Sequence, residues 1–125
     1  MSRVSIKDFT YSKTPAHPYA RVAQTVLPAW DISLVFCGKR RAQRLNKRLR
    51  NKTYVPNVLS YTVGKKSGEI IICKDVLKKE AKQYNLTVHA FVLFLFIHGL
   101  LHLKGHAHGT TMERYERTLL ARFTR

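Results

Sequence analysis

The chain has 125 residues, enough for one domain (1–125) around one buried core, and carries 23 Lys plus Arg against 7 Asp plus Glu, a formal net charge of +16. A surface so charged repels itself unless an anion screens it. A nucleic acid is therefore the expected partner, with a merely solvated surface or anionic lipid as the alternatives. Cys37 and Cys73 lie singly in apolar runs with no Cys-x-x-Cys pairing, which excludes a disulfide framework and predicts buried thiols in a reducing cytoplasm. The first fifteen residues lack the unbroken apolar stretch of a secretory signal.

In chain order, alternation over Val4-Ser5-Ile6-Lys7-Asp8-Phe9 predicts a half-buried strand. A short helix is expected from Pro15 to Leu27, capped by Thr14. Asp31 to Phe36 reads as a second strand ended by Gly38, and Lys39 to Arg50 as a basic helix with Ala42, Leu45 and Leu49 on its apolar face. Val58–Val63 and Glu69–Cys73 are predicted strands, joined by the basic tip Gly64-Lys65-Lys66-Ser67-Gly68. Asp75 is expected to cap a helix running to about Tyr84, and Thr87 the strongly apolar one that follows. That apolar run, Leu86 to Leu103, contains three histidines and ends at Lys104, so it predicts a central buried helix and no membrane span. A last helix begins at Thr110 or Thr111 and puts Met112, Tyr115 and Leu119 on one face. The sum is an α+β domain, a small mixed sheet of about four strands covered by helices. Most of the six tyrosines and six phenylalanines read as core by their spacing, so none stands out as a base-stacking platform.

The segment His98-Gly99-Leu100-Leu101-His102-Leu103-Lys104-Gly105-His106-Ala107-His108 carries the most chemistry. His98 and His102, four apart on a helix, stack on one face, and Gly105 lets the chain turn back to bring His108 to the same ion. Three imidazoles leave a tetrahedral metal one open position, where bound water has a pKa near 7 and can attack as hydroxide. Zinc, one per chain, is preferred among the transition metals that imidazole suits. His89 is read as a packed core histidine; His106 is left as a group orienting the site, a substrate contact or, preferably, a loop residue. A zinc peptidase would carry a glutamate directly after the first histidine. Gly99 stands there, which disfavours that reaction.

Three pieces of the chain resemble one family. The histidine segment is similar to the H-G-x-L-H-L-x-G-[HY]-D-H signature of the YbeY family, metal-dependent single-strand endoribonucleases of ribosomal RNA maturation. Leu45-Asn46 through Tyr61 resembles that family's L-N-x-x-Y-R-x-K-x-x-P-T-[DN]-V-L-S-F, with Arg50, Lys52, Asn57, Val58, Leu59 and Ser60 on motif positions, and Gly68-Glu69-Ile70-Ile71-Ile72 its G-D-I-x-I strand. The sequence departs at Leu49, at Val55-Pro56 and at Ala107, where the family has Asp. A carboxylate beside the third ligand could orient an imidazole, and Ala107 leaves that task unfilled.

The resemblance implies that His98, His102 and His108 hold the metal and that Arg50 contacts substrate phosphate, Arg50 and His102 being the catalytic residues. A guanidinium clamps phosphate with paired hydrogen bonds and steadies charge developing during cleavage. The leading expectation is a zinc-dependent endoribonuclease cutting single-stranded RNA. Its setting would be 16S precursor maturation and ribosome quality control beside the small ribosomal subunit, with no small-molecule cofactor and with oligomeric state left open. No general base is assigned: either metal-bound water or the RNA 2′-hydroxyl is the nucleophile. The alternative is a zinc-stabilised RNA-binding assembly factor with little or no nuclease activity.

Overall fold

In a computed structural model describing residues 1–124, strands β1 (Arg3–Asp8), β2 (Asp31–Cys37), β3 (Val58–Gly64) and β4 (Ser67–Cys73) form one sheet in the order β1-β2-β4-β3. Arg125, the last residue of the expected domain, lies outside the described residues. β1 and β4 run parallel to β2, whereas β3 pairs antiparallel with β4. The hairpin tip is tighter than expected: the turn is Lys65-Lys66, with Lys66 in the left-handed region at φ 54°, and Ser67 and Gly68 already belong to β4.

The two central strands are apolar on both faces because both faces are covered. Ile32, Leu34, Phe36, Ile70 and Ile72 enter the main core under helices α1 (Tyr19–Val26) and α4 (Val88–Lys104). The alternate residues Val35, Cys37, Ile71 and Cys73 pack against Ala42 and Leu45 of helix α2 (Lys39–Arg50). Both cysteines are buried free thiols, and burial, then the neighbouring Cys73, pushes Cys37 up to about 11. Leu49, expected on the buried face of α2, is exposed, and the buried stripe turns through Asn46 instead.

Helix α3 (Leu77–Gln83) follows a 3-10 turn, and α5 (Thr110–Phe123) closes the chain against α4. The apolar run is the central helix: ten residues of α4 are buried, and among the described residues no single helix is long and apolar enough to cross a membrane. Thr87 caps α4 as expected, its hydroxyl accepting from the Ala90 N–H at 3.0 Å.

Local signals were overridden in several places. The first helix starts at Tyr19 rather than Pro15, since Pro18 would clash with the carbonyl four residues back and disfavours helix at His17. Thr14 does not cap it; its hydroxyl donates to Asp8 Oδ2 at 2.6 Å. Asp75 does not cap α3 either: its carboxylate accepts from the Lys39 N–H at 2.7 Å, at the start of α2, where Gly38 has no side chain to offer. His89 is exposed and stacks on His17 with centroids 4.1 Å apart, so it is not a core histidine. Of the tyrosines and phenylalanines, Tyr19, Phe36, Phe91 and Phe96 are buried and Tyr61, Phe94 and Phe123 pack against the core, as most were expected to, while Phe9, Tyr11, Tyr54, Tyr84 and Tyr115 are exposed.

Candidate metal centre

His98 and His102 project from successive turns of α4 with their Nε2 atoms 3.0 Å apart and their rings at 81°. The helix then ends in a Schellman turn. Gly105 takes φ 111°, its N–H bonds to the His102 carbonyl, and the His106 N–H reaches back to Leu101 at 3.0 Å. A side chain at position 105 would be strained in that left-handed conformation. The reversal carries His108 to ring distances of 5.0 Å from His98 and 4.7 Å from His102. One nitrogen from each histidine lies within 4.8 Å of the others. A tetrahedral zinc, with Zn–N near 2.0–2.1 Å, spaces its nitrogens roughly 3.3 Å apart, so modest side-chain adjustment suffices.

The hydrogen bonds behind these rings decide what the front atoms offer. His102 Nδ1–H donates to the His106 carbonyl at 3.0 Å, and His98 Nδ1–H donates to Glu116 Oε2 at 2.6 Å. Both acceptors lack a proton to give, so in the neutral rings the proton sits on Nδ1 and each Nε2 presents a bare lone pair. Two lone pairs 3.0 Å apart repel unless a cation lies between them. Burial, then the proximity of His98, holds His102 below the usual histidine range, in the neutral form that ligates metal. The residues therefore fit a metal ion on chemistry as well as spacing.

Glu116 supplies the orienting carboxylate that Ala107 had left unfilled, reaching back from α5 rather than from the ligand loop. Glu113 and Glu116 are the nearest acids to the histidines along the chain, but sequence reasoning assigned Glu116 no role because it aligned Met112, Tyr115 and Leu119 on one face. Tyr115 is 48% exposed whereas Glu116 is only 5% exposed, so the buried stripe runs Met112 to Glu116, four apart. A carboxylate at a buried helix position is the signal that could have found it. Gly99 has a packing reason: a Cβ there would lie 3.0 Å from Ile70 Cγ2, so this glycine lets α4 approach β4, and a glutamate at position 99 would meet the sheet. His106 turns its ring to Tyr115 at 5.2 Å and contributes only its carbonyl to the site, in keeping with a loop residue.

The three histidines open into a cleft of about 790 Å³ that Arg50 also lines, from the last turn of α2. Buried Asn46 donates to the Tyr54 carbonyl at 3.0 Å and Gln43 to that of Thr53 at 2.6 Å, fixing the loop after α2. Tyr54 in turn receives Arg50 Nη1 on its hydroxyl at 3.1 Å. Arg117, Glu113, Tyr84 and Phe94 line the same cleft, and none was assigned a role from the sequence.

The model of the family described as Endoribonuclease YbeY matches residues 3–123. The chain belongs to the YbeY endoribonuclease family. Proteins named Endoribonuclease YbeY are similar to it at 36% identity over 83 residues in Bdellovibrio bacteriovorus, at 31% over 116 residues in Acidovorax sp. strain JS42, and at 35% over 103 residues in Thiobacillus denitrificans. These matches cover 65%, 85% and 74% of this chain, and 55%, 76% and 70% of the three relatives. The solution structure of TM1509 from Thermotoga maritima superposes with a TM-score of 0.62 at 17% identity, covering 96% of this chain and 87% of that one. That last likeness concerns the fold. The family's histidine signature falls on residues that the fold gathers around one point.

Proposed function

We propose that the protein is a zinc-dependent endoribonuclease that cleaves single-stranded RNA, acting in the cytoplasm in ribosomal RNA maturation (the 16S precursor) and ribosome quality control beside the small ribosomal subunit. One observation carries the reading: three imidazoles, each with a nitrogen within 4.8 Å of the others, converge in a cleft that also presents Arg50. His98, His102 and His108 would hold the metal. When bound there, a zinc ion supplies Lewis acidity to a phosphoryl oxygen and lowers the pKa of water.

The rest is the work of the chain's own groups. Arg50 binds the scissile phosphate through its two-pronged guanidinium, and the Tyr54 hydroxyl holds that side chain against the cleft wall. Glu116 keeps the His98 proton on Nδ1, and the His106 carbonyl does the same for His102. The exposed cations of α2, among them Arg40, Arg41, Arg44, Lys47 and Arg48, attract the strand at long range. The experiment is cleavage of an unstructured RNA by zinc-loaded protein, with His102→Ala prepared in parallel. Products ending in a 2′,3′-cyclic phosphate identify the RNA 2′-hydroxyl as nucleophile. Cleavage no faster than in the His102→Ala preparation removes the nuclease reading and leaves the RNA-binding assembly factor.

A further inference from the structure

The face of α4 that presents the stacked histidines does not stop at His98. One turn earlier lies Phe94, its ring 6.3 Å from that of His98, and Phe94 meets Tyr84, at the end of α3, at 5.2 Å. Tyr84 also rests on Phe91 at 5.1 Å, so protein supports its ring from behind. Phe91 is fully buried, as a core aromatic should be, whereas Tyr84 stays 50% exposed. Tyr84 and Phe94 line the same cleft as the three histidines, Arg50 and Arg117. The cleft thus sets an aromatic ledge beside a metal-ligating cluster and two guanidinium groups.

A ring backed by protein and open to a cation-lined cleft selects a ligand that joins a flat π face to an anion. A nucleotide unit of RNA has that composition, and base–aromatic stacking accepts any base, since every base has a π face. We infer that Tyr84, supported by Phe91 and Phe94, stacks one unpaired nucleobase of the RNA strand within one or two nucleotides of the phosphate held at Arg50. The inference rests on the endoribonuclease reading and gives it a physical cause for strand preference. A base in a duplex has both faces covered by its neighbours, so it must be unstacked before it can lie on the ledge.

The test is fluorescence anisotropy with zinc-loaded protein and a short labelled 2′-O-methyl RNA, alongside the same strand made abasic at one position at a time. Tyr84→Leu keeps apolar cover over Phe91 and Phe94 but removes the π face, and Tyr84→Trp keeps both. Tyr84→Leu should bind the intact strand about fivefold or more weakly, at the lower end of what base–aromatic stacking supports, while Tyr84→Trp retains parental affinity. The parent should lose a similar factor at one abasic position, and there the two losses should not add, as expected for groups in contact. Parental affinity in Tyr84→Leu, or full additivity at every position, overturns the inference. Cleavage of ordinary RNA, measured separately against His102→Ala, reports on the nuclease reading: non-additive binding without cleavage leaves the ledge standing and removes the nuclease.

Discussion

Removing the charge of Glu116 isolates the contribution of a single hydrogen bond to the candidate metal centre. The carboxylate is almost wholly buried and its Oε2 lies 2.6 Å from His98 Nδ1, a charge-assisted contact that fixes the ring and makes the opposite nitrogen more basic. Glu116→Gln keeps an oxygen that can accept the same proton but loses the charge. The difference between a charged and a neutral acceptor, about 1–1.5 kcal/mol, corresponds to about a tenfold loss of zinc affinity. Glu116→Ala removes the acceptor altogether and should approach a hundredfold, the upper range for loss of a carboxylate behind a ligating histidine. Zinc dissociation constants from competition with a chromophoric chelator near neutral pH measure both. A merely structural role is separated by melting each variant with and without saturating zinc. In Glu116→Gln the zinc-free melting temperature should change little, while the zinc-induced rise shrinks by about 5 °C, as a tenfold weaker ligand requires in a domain of this size. Zinc affinity within about twofold of the parent in Glu116→Ala refutes the reasoning.

Metal analysis should give about one zinc per chain, lost in His98→Ala, His102→Ala and His108→Ala but kept in His106→Ala and His89→Ala; an empty His106→Ala beside a loaded His108→Ala would reverse the ligand assignment. Arg50→Ala should slow cleavage by about a hundredfold, as when one preorganised donor to the transition state is removed, while RNA binding weakens much less and Arg50→Lys recovers only part of the rate; equal losses of rate and affinity would remove the catalytic role. Stability should also report on Asp8, which carries Lys74 at 2.7 Å. Burial raises its pKa, but hydrogen bonds from Lys74, Thr10 and Thr14 outweigh that and lower it from 3.8 to about 2. A carboxyl with a depressed folded pKa stabilises above its unfolded value and loses that contribution as pH falls, so acid melting curves should drop between about pH 4 and pH 2. Asp8→Asn should be less stable at neutral pH and flatter across that window; a parental pH profile in Asp8→Asn would show that the ion pair does not couple to folding.

The chain's own residues determined the elements and the gathering of the three histidines. Period-two and period-3.6 patterning is local, so β2, α2, the hairpin and the apolar helix are where the sequence puts them, and His98, His102, Gly105 and His108 are near neighbours whose spacing already implies convergence. Tertiary structure decided whatever depended on partners distant in sequence. Asp75 looks like a local cap and instead serves α2, 36 residues away, because a carboxylate satisfies whichever N–H the fold brings to it. Tyr84 and Phe94 have the spacing of core residues, and only the position of α3 relative to the cleft leaves Tyr84 open to solvent. Glu116 is the clearest case. Its distance from His98 is 18 residues along the chain and one hydrogen bond in space, and the burial that makes this bond strong exists only once α5 has docked on α4.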